Sequence, residues 1–222
     1  EAMEENFIPY HREDPTADEM VERSENFYNK LDKRRSVRVF DSKPVPKAVI
    51  ENIIMAAGTA PSGAHKQPWT FCVLSNGELK SKIREAAEAE EYENYHGRMS
   101  EEWMNDLKQF GTDWRKPFIE IAPWIIVVFR KTYDLNGDHK MKNYYVQESV
   151  GIACGMLITA IHNAGLVTLT HTPSPMNFLT KILNRPVNEK PFLLLPVGYA
   201  AAAASVPDLQ RKSLEDIAVF YE

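Results

Sequence analysis

Residues 143–164 constrain this chain more than any other stretch. They read as one helix, about 33 Å long at 1.5 Å per residue, and between 150 and 161 it is apolar nearly all round. A helix with a single apolar stripe can lie on a surface. A helix without a polar face must be covered on several sides, and in a chain of 222 residues a second subunit is expected to supply part of that cover. Gly151 and Gly155, four apart, would let another helix come close. The apolar stretch is far short of the ~20 residues that a membrane span needs.

Around this helix the other elements do not alternate regularly. Helices are expected over 16–31, with Thr16 as N-cap, over 46–57, from about 78, and over 176–183. Strands are expected at 36–40, 69–74, 124–129, 166–169 and 191–196, and 217–221 reads as an edge strand. Ser75-Asn76-Gly77 reads as a turn and Asn136-Gly137-Asp138 as a loop. No Gly-x-Gly-x-x-Gly follows a strand, which argues against a doubly wound dinucleotide-binding sheet. The expected class is α+β, a central mixed or antiparallel sheet covered by helices. One domain, 1–222, is expected, with an extended arm at 1–15, a helical segment at 84–116 and a C-terminal extension at 205–222. The 84–116 segment is charged and rich in Glu, Asn, Tyr and Met. It has helical propensity but a weak core face, as suits a segment that orders over a ligand.

Net charge is −5, which excludes a nucleic-acid footprint. Cys72 and Cys154 each sit in an apolar run and fit a reducing compartment, and no Cys/His pair has zinc spacing, so no metal is expected. No basic n-region of a secretory signal opens the chain, and a soluble, cytoplasmic protein is expected, with an anchor upstream of Glu1 left open.

Against that acidic background stands Arg34-Arg35-Ser36-Val37-Arg38. Composition alone reads such a cluster as a solvated strand. Guanidiniums, however, offer planar forks of donors whose charge cannot be lost, and three within five residues suit one phosphate. Ala60-Pro61-Ser62-Gly63-Ala64-His65 is a small-residue turn that lets main-chain amides approach flat, electron-rich atoms. A phosphate anchor and a close-approach turn together point to a phosphorylated planar cofactor.

These two segments, with Gln67-Pro68-Trp69-Thr70-Phe71 and Asn163-Ala164-Gly165-Leu166-Val167, resemble the nitroreductase superfamily of FMN enzymes. Within it the chain is similar to the iodotyrosine deiodinases, from about residue 27 to the C-terminus. The resemblance implies a nitroreductase-like fold and a domain-swapped homodimer with FMN at the subunit interface. It implies that Arg34, Arg35, Ser36 and Arg38 hold the FMN phosphate and ring edge, that Pro61, Ser62 and Gly63 line the flavin, that Thr170, His171 and Thr172 bring donors to the isoalloxazine, and that Arg211 adds a second phosphate clamp. Thr172 is the candidate catalytic hydroxyl at flavin N5, with Thr170 in reserve. The bare reading of both threonines is β-branched strand filler.

Glu91 and Tyr95 are four apart and share a helix face; Lys116 follows a second short helical stretch. An amino-acid zwitterion needs one acid and one base, and the resemblance assigns these three residues to that grip: Glu91 to the ammonium, Lys116 to the carboxylate, Tyr95 as aromatic wall. It also implies that the Ala64 N–H meets a phenolate oxygen. An oriented amide dipole there favours halogenated over plain tyrosine, because an ortho-halogen lowers the phenol pKa. The implied reaction is reductive dehalogenation of halotyrosine, with NAD(P)H or a reductase as source of electrons. Two other readings share the basic cluster: a general FMN- and NAD(P)H-dependent nitroreductase or quinone reductase, and a flavin-binding sensor or electron carrier.

Overall fold

The computed structural model describes residues 7–222, so the first six residues of the expected arm lie outside the described residues. The chain forms two compact units, residues 1–34 and 35–222. In the first, helix α1 (Ala17–Asp32) begins at Thr16 with a capping box: the Glu19 amide donates to Thr16 Oγ1 at 3.3 Å, and the Thr16 amide donates to Glu19 Oε2 at 2.7 Å. It buries no residue, and Met20, Val21, Phe27 and Tyr28 are exposed.

The second unit is built on a four-stranded antiparallel sheet of strands β1 (Trp69–Leu74), β2 (Trp124–Lys131), β5 (Val167–Thr168) and β6 (Glu189–Gly198), in the order β1-β2-β6-β5. Alternation along β2 divides the core. Ile125, Val127 and Phe129 join one apolar cluster with α3 (Gly77–Glu93), α5 (Phe118–Ile121) and α7 (Asn177–Ile182). Ile126 and Val128 join another with α2 (Lys47–Gly58) and α6 (Val146–Asn163). Because both faces are covered, β2 reads as a continuous apolar run rather than an alternating one.

Several expectations are corrected. The stretch at 36–40 makes only isolated bridges, Ser36 to Thr168 and Phe40 to Ala200, since Ser36 and Arg38 interrupt its apolar face. The loop at Asn136-Gly137-Asp138 is the tip of a hairpin, β3 (Tyr133–Asn136) and β4 (His139–Lys142). The tail forms a short helix, α8 (Leu214–Ile217), and pairs with no strand among the described residues. Val219, Phe220 and Tyr221 stay exposed. Helix α6 is buried along Val150, Ala153, Cys154, Leu157 and Ile161, but Gly151, Ile152 and Gly155 lie on an open side, so the sheet and α2 cover it incompletely.

Candidate active site

The basic segment is fixed beside β5: the Val37 amide donates to the Thr168 carbonyl at 3.1 Å, and Val37 and Phe40 point inward. That leaves Ser36 exposed and the guanidiniums of Arg35 and Arg38 half-buried. Arg35 donates to the carbonyl of Pro207. Arg38 lies 5.7 Å from the Phe110 ring centroid. Burial lowers its pKa, and the neighbouring Tyr95 opposes that shift. A cavity of about 370 Å³ is walled by Ser36, Arg38, Phe110, Ser205 and Pro207, and no acidic side chain is part of its wall. Guanidinium and hydroxyl donors without a competing carboxylate fit an anionic group such as a phosphate. Arg211 is exposed on the segment that follows. Arg34 ends the first unit, where its amide donates to the Leu31 carbonyl at 3.0 Å.

The small-residue turn packs on the start of α6. The Gly63 amide donates to Ser149 Oγ at 3.3 Å, and a Cβ on Gly63 would come within 2.9 Å of the Tyr144 carbonyl oxygen. Only glycine permits that approach. Pro61 is exposed and Ser62 half-buried, with Ser62 Oγ accepting from the Gln67 amide at 2.8 Å. Ala64, His65 and Gln67 hold left-handed φ of 50°, 54° and 48°, a run of strained non-glycine residues of the kind that collects at functional sites. The contacts thus gather the expected cofactor residues into two sets: the basic segment with β5 and the 205–207 loop, and the turn with α6.

Past β5 the chain alternates. Thr170 and Thr172 are exposed, whereas the side chain of His171 between them is buried. The His171 amide and carbonyl both pair with Leu194 at 2.9 Å. Its ring meets Phe118 edge-on, with centroids 5.5 Å apart, and its Nε2 is buried without a partner. Burial first, then the positive charges of Lys116 and Arg38, push its pKa from 6.5 down to about 3, so the imidazole is neutral. Alternation therefore separates the three expected donors. The two hydroxyls face outward and the imidazole faces the core.

The 84–116 segment is not one helix. α3 runs to Glu93, a π-helical turn spans Asn94–Arg98, and α4 (Glu101–Lys108) follows. The core face expected to be weak over 84–116 buries Ala87 and, at its end, Glu91, 7% exposed. Tyr95 sits in the π turn rather than on the α-helix. The three expected grip residues nevertheless meet. Lys116, 4% exposed, places Nζ 3.4 Å from Glu91 Oε2 and 5.6 Å from the Tyr95 ring centroid. Lys116 Nζ also donates to Thr112 Oγ1 at 3.3 Å and to the Asp113 carbonyl. Burial lowers the Lys116 pKa, and Glu91 only partly opposes it. Tyr95 Oη donates to the Thr112 carbonyl at 3.4 Å, and burial raises its pKa. A buried acid and a buried base joined by one long contact are poised to take opposite charges from a ligand.

Residues 31–199 match the family described as the nitroreductase family. The iodotyrosine deiodinase of Haliscomenobacter hydrossis is 63% identical over 216 residues, covering 97% of each chain. That of Nematostella vectensis is 51% identical, covering 95% of this chain and 81% of its own. The chain belongs to the iodotyrosine deiodinase branch of the nitroreductase family. A crystal structure of oxidized iodotyrosine deiodinase bound to FMN and 3-iodo-L-tyrosine superposes with TM-score 0.75 at 29% identity, covering 88% of this chain and 98% of that one. The nitroreductase match includes the basic segment, the turn, the threonines and the whole 84–116 segment; Arg211 lies beyond it.

Sequence reasoning missed three residues that shape this candidate site: Ser149, which receives the Gly63 amide, Phe110 beneath Arg38, and Asn94, whose Nδ2 donates to the Ser174 carbonyl at 2.9 Å. Each is brought in by long-range packing and carries no local signal.

Proposed function

We propose that this chain performs FMN-dependent reductive dehalogenation of halotyrosines, converting mono- or di-iodotyrosine to tyrosine and halide. The deiodinase relatives and the solved structure holding FMN with iodotyrosine support this reading. The buried Glu91–Lys116 pair beside Tyr95 is the observation that carries it. In each turnover the carbon–halogen bond is replaced by carbon–hydrogen, halide leaves, and two electrons and one proton are consumed. Bound reduced FMN supplies the electrons, which the side chains cannot.

Arg35, Ser36 and Arg38 hold the cofactor phosphate and ring edge, aided by Arg211. Ser62 and Gly63 line the ring, and the outward Thr172 presents its hydroxyl to the flavin. The Ala64 amide takes the substrate's phenolate. Glu91 exchanges its partner for the substrate ammonium and Lys116 takes the carboxylate, so the 84–116 segment acts as a lid that excludes water. The two sets of cofactor residues meet across a homodimer, with the turn of one subunit facing the basic segment of the other. The open side of α6 and the exposed apolar tail support that assembly. NAD(P)H, directly or through a reductase, restores the reduced cofactor. Among the described residues no helix is long and apolar enough to cross a membrane.

The test is anaerobic. Reduced holoprotein mixed with 3-iodotyrosine should release one iodide per flavin as the flavin spectrum returns to the oxidised form. Flavin that stays reduced while the same sample reduces a nitroarene would return the chain to the general nitroreductases.

A further inference from the structure

Two arms of the lid reach the segment that carries Thr172. From the first arm, which bears Glu91 and Tyr95, Asn94 Nδ2 donates 2.9 Å to the Ser174 carbonyl, a bond spanning 80 residues of sequence. From the second, which bears Lys116, the buried Phe118 ring meets His171 edge-on. The His171 backbone is itself fixed to β6 through Leu194. Thr172 therefore lies exposed between a residue pinned one position before it and a carbonyl held two positions after it. Only the Asn94–Ser174 tether depends on the part of the lid that grips the ammonium.

We infer that Asn94 is a positioning residue: it joins the Glu91–Tyr95 arm to the Thr172 segment, so that closing over substrate and presenting the Thr172 hydroxyl are one movement. This role rests on the dehalogenase reading above. Asn94 stands at the junction where α3 gives way to the π turn. The π turn alters the helical repeat directly after Glu91, so Asn94 can reach across to Ser174 while Glu91 and Tyr95 both approach Lys116. A continuous α-helix would keep residues 94 and 95 about 100° apart with a fixed relation to 91, and the reach of each would follow from that alone. The bonded group on the loop is a main-chain carbonyl, so the contact constrains the backbone near Thr172 rather than a rotatable side chain.

The experiment uses FMN-loaded protein carrying Asn94→Ala or Asn94→Asp. The second keeps the size of the side chain and removes the donor. Both should bind FMN and melt as the wild type does, because Asn94 is half-exposed and touches neither core cluster. The Kd for 3-iodotyrosine, read from the flavin spectrum, should rise about three- to tenfold. The single-turnover rate at saturating 3-iodotyrosine should fall by about tenfold as well, a loss that tighter substrate loading does not rescue. A Kd that rises while the saturated rate stays at the wild-type value reduces Asn94 to lid packing and overturns the inference. So does an Asn94→Asp protein that behaves as the wild type. Glu91→Gln is run alongside. If it loses 3-iodotyrosine while Asn94→Ala is normal, the dehalogenase reading stands and only this role falls. A wild-type holoprotein indifferent to 3-iodotyrosine removes both.

Discussion

Two ion pairs with a buried carboxylate follow opposite designs in this chain. At the start of β6, Glu189 is 2% exposed and fully served: Arg185 donates to it twice, at 2.6 and 2.9 Å, and Thr70 Oγ1 donates at 2.8 Å. Burial pushes the Glu189 carboxyl up, yet those hydrogen bonds outweigh it and leave the pKa below the ordinary value. In the 84–116 segment, Glu91 and Lys116 meet at 3.4 Å, and burial wins over pairing at the lysine. The first pair has what it needs from the fold. In the second, Lys116 has acceptors in Thr112 and Asp113 as well, whereas Glu91 is held by the long Lys116 contact rather than by a bidentate arginine and a hydroxyl. Burial alone therefore does not mark a site; a buried carboxylate held by one long contact is the one left able to change partner.

The sharpest way to break this contrast is Glu189→Ala. Leaving Arg185 and Thr70 without their acceptor should cost about 4 kcal/mol in denaturant unfolding, while 3-iodotyrosine affinity of the loaded protein stays within about twofold. A loss below about 1 kcal/mol would mean that the Arg185–Glu189 pair is no better built than the Glu91–Lys116 pair. The mirror experiment is Glu91→Gln, which should lower 3-iodotyrosine affinity by roughly 100-fold, about 3 kcal/mol, and shift unfolding by less than about 1 kcal/mol. A large stability loss there would show that the Glu91–Lys116 pair serves the fold.

His171 sharpens the contrast through pH. Its pKa is lower in the folded chain, about 3, than the ordinary 6.5, so between those values the unfolded chain holds the extra proton. The associated stability is complete above pH 6.5 and drains away as pH falls towards 3. Between pH 6.5 and 5 the wild type should lose roughly 2 kcal/mol more than His171→Phe, measured by urea titration at each pH. Equal losses would place the imidazole in contact with water. The smallest effect is expected from the outer face of the 84–116 segment, where Tyr92 meets Trp114 edge-on at 5.4 Å and stacks on His96 at 3.9 Å. Trp114→Ala should weaken 3-iodotyrosine binding by about 1 kcal/mol, with FMN affinity unchanged in a fluorescence titration.

Much of the fold was legible because its signals are local. Thr16 with Glu19 announces α1, Pro46 opens α2, and the apolar runs at 69–74 and 124–129 are strands. The β3–β4 hairpin escaped because its polar strands, from Tyr133 to Lys142, show no alternation and only the Asn-Gly tip betrays them. The tail failed as a strand because a strand is a property of a pair. In the candidate site, charge type and spacing alone leave Glu91 and Lys116 among many surface acids and lysines; the family resemblance selected them with Tyr95, and the three do converge. The π turn was not legible, since a helix that widens by one residue has no composition of its own. Nor was the split between His171 and its neighbouring threonines, because parity along an extended segment has meaning only once one face is known.

That parity carries a consequence for how the chain tolerates change. Deleting a single residue between Leu169 and Thr172 would turn the segment over like a zip that has jumped a tooth: a hydroxyl would be driven against Phe118, and the oily side of the strand would look outward. Point substitutions here can be graded, but length cannot, so this short run behaves as a fixed ruler in an otherwise adjustable scaffold.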